Sequence, residues 1–189
     1  MAEGINYVDS KQPFNTADFS QITLLNTSLQ LWNAAIYTPT GGGSYWWAGK
    51  ELRVRAFGKM TTAATPGNLT IEVRLATTDA GGTIIATSAA TALAANKTSI
   101  SWCCDCYVEC RAAGGASVGS LFAWGEFKYD GAGALFTTTA NNPLLLPASA
   151  ATATTVDLST ASGISIQMKR SGSTAETVTA QDVLFQSLN

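Results

Sequence analysis

The chain has 189 residues, 13% of them charged, with a net charge of −2 and no histidine. This length suits one domain with a core that needs no metal or disulfide staple, and its charge content is well under the share of about 25% usual in soluble domains. Lys and Arg are scattered singly, which leaves no electrostatic footprint for nucleic acid or an anionic membrane, and the missing histidine removes Ser-His-Asp and Cys-His nucleophiles and His-based metal sites.

The start, Met1 to Asn6, has neither a basic nor an apolar signal region. No apolar run approaches the ~20 residues of a spanning helix. The expectation is synthesis and folding in a cytoplasm. Residues 1–20 are polar, with Tyr7, Phe14 and Phe19 in no clear period. They read as an N-terminal extended arm or a loosely attached lead-in segment. Residues 21–189 read as a single β-sandwich domain.

From Ile22 the pattern turns to strands. Gln21 to Leu25, Leu29 to Trp32 and Ala34 to Thr38 are short candidates, followed by a Gly41–Ser44 turn and Tyr45-Trp46-Trp47. Leu52 to Gly58 and Leu69 to Leu75 alternate strictly around Thr65-Pro66-Gly67, which predicts a hairpin. Thr83 to Thr87 is a short strand. Ala89 to Ala95 reads as a loop or one helical turn.

In the segment from Ile100 to Arg111, Trp102, Cys104, Cys106, Val108 and Cys110 share one strand face. Cys103, Asp105, Tyr107, Glu109 and Arg111 share the other. Residues i and i+2 on a strand hold parallel Cβ atoms about 6.6 Å apart, against about 3.8 Å in a disulfide, so buried free thiols are expected. The spacing within Cys103–Cys110 is no zinc knuckle.

Val118 to Tyr129 is another strand, with Phe122, Trp124, Glu126 and Lys128 on one face. Residues 137–151, containing Pro143 and Pro147, read as a long irregular connection whose three leucines pack on the core or on another subunit. Val156 to Leu158, Gly163 to Lys169 and Thr177 to Leu188 complete the strands. About eight of them with no helix predict an all-β, two-sheet antiparallel sandwich, jelly-roll-like.

The run Ala48 to Gly58, followed by Thr65 to Leu75, resembles a group of small virion proteins of tailed bacteriophages. Their shared run is a turn, a Leu-Arg-Val-x-Ala-x-Gly strand, a Thr/Pro loop and a Leu-Thr-x-x-x-Arg-Leu strand. Gly82 to Ala86, the strand at Trp102, Gly114 to Gly119 and the strands near Ile164 and through Leu188 also fit. The resemblance covers residues 22–189. It implies a capsid decoration (cement) protein, sitting on the major capsid protein as a homo-oligomer, with a trimer favoured. No catalytic residue carries over, and the cysteine cluster has no counterpart in that group.

Two other functions compete. A phage tail or receptor-binding component would recognise host glycan with exposed aromatics. A glycoside hydrolase would need paired carboxylates, for which Asp105 and Glu109 are the candidates. Glu51, Glu72 and Glu126 sit beside Lys50, Arg74 and Lys128, which reads as cross-strand charge pairing. The expectation is a non-enzyme with no cofactor and no metal, located in the virion at the capsid surface. The candidate interface residues are Trp46, Trp47, Phe122 and Trp124. Adjacent residues on a strand point to opposite faces, so only one of Trp46 and Trp47 is easily buried in a single core.

Overall fold

The computed structural model describes residues 8–10, 14–18, 46–76, 82–115, 118–130, 134–137, 143–149, 152–159, 163–171 and 177–188. The strand candidates between Gln21 and Thr38, the glycine turn after them and Tyr45 lie outside these residues.

The described residues form twelve strands and no helix. Six are long: β3 (Glu51–Thr61), β4 (Asn68–Ala76), β7 (Ile100–Ala112), β8 (Ser120–Tyr129), β11 (Gly163–Arg170) and β12 (Thr177–Ser187). The short ones are β1 (Val8–Ser10), β2 (Phe14–Asp18), β5 (Thr83–Thr87), β6 (Thr91–Ala92), β9 (Leu144–Leu146) and β10 (Thr154–Thr155). They assemble into two antiparallel sheets. The larger has the order β1-β12-β3-β7-β8-β10, with β2 also on β12 and β9 also on β8. The smaller has the order β11-β4-β5, with β6 also on β4.

Strict alternation builds the core. Leu52, Val54 and Ala56 of β3, Cys104, Cys106 and Val108 of β7, and Leu121 and Phe127 of β8 are buried. So are Leu69, Ile71 and Val73 of β4 and Ile164, Ile166 and Met168 of β11 from the opposite sheet. On the large sheet, residues of the other parity face outward, as the pleat dictates, whereas Glu72 of β4 and its cross-strand partner Gln167 of β11 are buried on the other face of the smaller sheet.

Three expectations need correction. The expected hairpin of β3 and β4 is an arch. β3 pairs with β12 and β7, and β4 pairs with β11, β5 and β6. Both strands alternate because each gives one face to the same core, and alternation alone cannot tell an arch from a hairpin. The arch is anchored by Thr62 N–H to the Lys97 carbonyl at 2.8 Å and Asn96 N–H to the Ala63 carbonyl at 2.9 Å. At its far end Gly67 passes so close to β11 that a Cβ there would lie 1.4 Å from the Ser171 carbonyl oxygen.

The second correction is Ala89 to Ala95, which contains the short strand β6, with Leu93 bridging to Phe136. The third is the connection around Pro143 and Pro147, which contains β9. Leu144–Leu146 pairs with Gly125–Phe127 at the sheet edge, the position where flanking prolines are tolerated. Val156 to Leu158 lies just past the paired segment, β10. At the start of the chain, β1 and β2 pair with opposite ends of β12.

Candidate functional site

The outer face of the large sheet carries the site. Register places Arg55, Asp105 and Glu126 in one cross-strand row and Arg53, Tyr107 and Trp124 in the next. Glu51, Glu109 and Phe122 form a third row. Directly opposed side chains on a sheet stand close enough to interact.

The second row is a stack. The Arg53 guanidinium carbon lies 5.2 Å from the Tyr107 ring centroid. Tyr107 and Trp124 stack with centroids 5.3 Å apart and planes 9° apart. Trp124 then meets Phe122 at 5.4 Å and 42°, and Arg111 caps Phe122 at 4.9 Å. A ring pair of this kind contributes about 0.5–1.5 kcal/mol beyond its burial.

Carboxylates hold the cations in place. Arg53 donates twice to Asp105, from Nε to Oδ1 at 2.8 Å and from Nη2 to Oδ2 at 2.5 Å. Arg55 Nε lies 3.2 Å from the same carboxylate. The hydrogen bond to Asp105 pushes the Arg53 guanidinium above its usual value, so the fork stays charged and fixed. Arg111 pairs with Glu109 at 3.1 Å, and Lys128 with Glu126. Glu72 pairs with Arg74 at 2.6 Å. The Glu72 and Glu126 pairs therefore run along a strand, two residues apart, and not across strands as expected. Asp105 does pair across strands, with Arg53 and Arg55.

Beside the stack lies a groove of about 490 Å³. Tyr107, Trp124 and the Arg53–Asp105 pair line one part, Glu126 another, and Leu145 and Pro147 another. β9 supplies these last two because its pairing with β8 buries Leu144 and Leu146 and turns Leu145 outward, 59% exposed.

Of the residues singled out in the sequence, Phe122 and Trp124 are both in the ring row. Trp46 is in the core at 2% exposure, and Trp47 is at the surface at 49%. The buried Lys50 ammonium lies 4.4 Å from the Trp47 ring centroid. Burial pushes Lys50 below the usual lysine range. Sequence reasoning missed Arg53 and Tyr107 as partners of Trp124. Their outward parity was readable, but the register that lines Arg53, Tyr107 and Trp124 up in one row was not. It missed Leu145 and Pro147 because β9 was read as loop.

All four cysteines are free thiols. Cys104, Cys106 and Cys110 are fully buried on the inner face, and Cys103 is half-buried on the outer face. The Cys104 and Cys106 sulfurs lie 3.5 Å apart, in contact and unbonded. That contact, with burial, pushes the Cys104 thiol well above the usual range. Among the described residues, no group of three or more His, Cys, Asp or Glu side chains is placed to hold a metal.

No family model matches the chain. No curated protein matches it either. Among solved structures it is similar to the CBM2 module of Lactobacillus casei BL23 phage J-1 evolved Dit. Identity is 13%, the match covers 82% of this chain and 67% of that one, and the TM-score is 0.29. At that score the likeness carries no argument for fold or ligand.

Proposed function

We propose that this chain is a non-catalytic β-sandwich of a tailed-phage virion that recognises a glycan in the groove between the Tyr107–Trp124 stack and β9. The observation that carries the reading is the groove, where aromatic rings lie beside a fixed fork of donors and acceptors. Sugar rings present apolar C–H faces and a rim of hydroxyls. A ring wall with a few convergent polar groups is matched to both. The groove is lined by one cation, Arg53, and two carboxylates, Asp105 and Glu126, so its lining does not favour a phosphate or a polyanion. Hydrolysis would need two carboxyl groups aimed at one bond. Here Asp105 is turned to Arg53 and Arg55, and Glu126 to Lys128. The virion part of the reading rests on the sequence resemblance over residues 22–189.

The test is titration of the purified chain with a panel of linear oligosaccharides, repeated with Trp124→Ala. Binding by the wild type, weakened about tenfold or more by loss of the ring, is the expected result. A wild type that binds no glycan in the panel would sink the reading.

Capsid decoration is the second reading. It is supported by the same resemblance and by the low charge of the chain, 13% of residues. In it the ring row packs against the major capsid protein, and the chain forms a homo-oligomer, with a trimer favoured. Immunogold labelling of intact virions separates the two. Label over the head supports decoration, and label on the tail supports the glycan reading.

A further inference from the structure

The groove ends at Trp124, but the ring row does not. Phe122 lies two residues further along β8, its ring 5.4 Å from Trp124 and capped by Arg111. The local arrangement repeats. Arg53 and Asp105 flank the Tyr107–Trp124 stack, and Arg111 and Glu109 flank Phe122. Each unit pairs a ring with an arginine that a carboxylate holds in position. Two such units, one step apart along a strand, match successive rings of an extended chain better than one isolated ring.

The charge around the second unit adds a constraint. The carboxylate of Glu109 stands directly opposite Phe122, and Glu51 stands opposite Glu109 on the next strand. A carboxylated or sulfated sugar at this end would lie along this row of carboxylates, which disfavours it.

We infer, on the basis of the glycan reading above, that the site takes a linear, uncharged glycan that runs from the groove past Trp124 onto Phe122, and not a single terminal sugar. The groove holds one sugar unit, and the Phe122 platform holds the next.

The experiment is a titration series on the full chain with neutral hexose and N-acetylhexosamine oligomers of increasing length, from the monosaccharide upward. Affinity is expected to rise about tenfold or more from the monosaccharide to the longer oligomers. Phe122→Ala is expected to remove that rise and leave monosaccharide binding in place. Phe122→Leu keeps apolar volume without a ring face and gives the same result in a fold-preserving background, checked by thermal unfolding. An oligomer bearing uronic acid is expected to bind more weakly than its neutral counterpart. Affinity independent of length, or a length effect untouched by both Phe122 variants, overturns the inference and leaves the groove reading standing. Binding of no oligomer at any length overturns both.

Discussion

Cys104 and Cys106 sit side by side under the site, their sulfurs 3.5 Å apart and unbonded on the inner face of β7. They act as small core residues shielded by burial, and the contact with Cys106, with burial, raises the Cys104 thiol. Burial also raises the Cys110 thiol. Alkylation of the folded chain at mildly alkaline pH should therefore modify Cys103 alone, and denaturant should expose the other three. Mass spectrometry counts the adducts, and early modification of Cys104 would contradict the packing. The same shifts set a pH dependence. A thiol raised in the folded state contributes stability that is complete below the ordinary thiol range, about 8.5, and is lost as pH rises through the folded value. The urea midpoint should fall on the alkaline side, and less steeply in Cys104→Ala. The inward placement of these cysteines was legible from alternation alone, as were the outward Phe122 and Trp124. The contact between two sulfurs was not, because strand spacing fixes Cβ positions and says nothing of how side chains lean.

At the scale of elements, the site depends on how closely β7 and β8 approach. Gly125 makes that approach possible. A Cβ there would lie 2.5 Å from the Asp105 carbonyl oxygen and 2.7 Å from the Cys106 sulfur. Gly125→Ala should separate the strands at the Cys106–Gly125 pair, next to the row that holds Asp105 and Glu126, at a cost of about 1–3 kcal/mol. Chemical denaturation measures the loss, and an unchanged midpoint would show that the strands have room to spare. The strands themselves were readable from period and turn residues. The register of β7 on β8, which brings Tyr107 to Trp124, depends on a bulge between Cys110 and Ala112. One extra residue there shifts every later pair, and no local sequence signal marks it. The connection holding Leu144–Leu146 hid in the same way, because its flanking prolines are compatible with an edge strand as well as with a loop.

Across the whole molecule, two-sheet architecture follows from the sequence because both sheets must bury one face against a common core. Sheet membership does not follow, and the β3–β4 pair marks the limit. Leu52 and Leu69 both point into the core from opposite sheets, so the same alternation serves either arrangement. The outcome matters for function. With β4 in the other sheet, β3 has β7 as its neighbour, and only then do Arg53 and Arg55 reach Asp105. The face proposed to bind glycan is thus a product of topology, assembled from three strands and walled by a fourth.

That face is tested most directly by hydroxyl-radical footprinting of the folded chain with and without a saturating neutral oligosaccharide. The account predicts protection of Tyr107, Phe122 and Trp124, with Trp47 oxidised equally in both states. Equal oxidation of the three ring-row residues with ligand bound, or protection centred on Trp47, would contradict it.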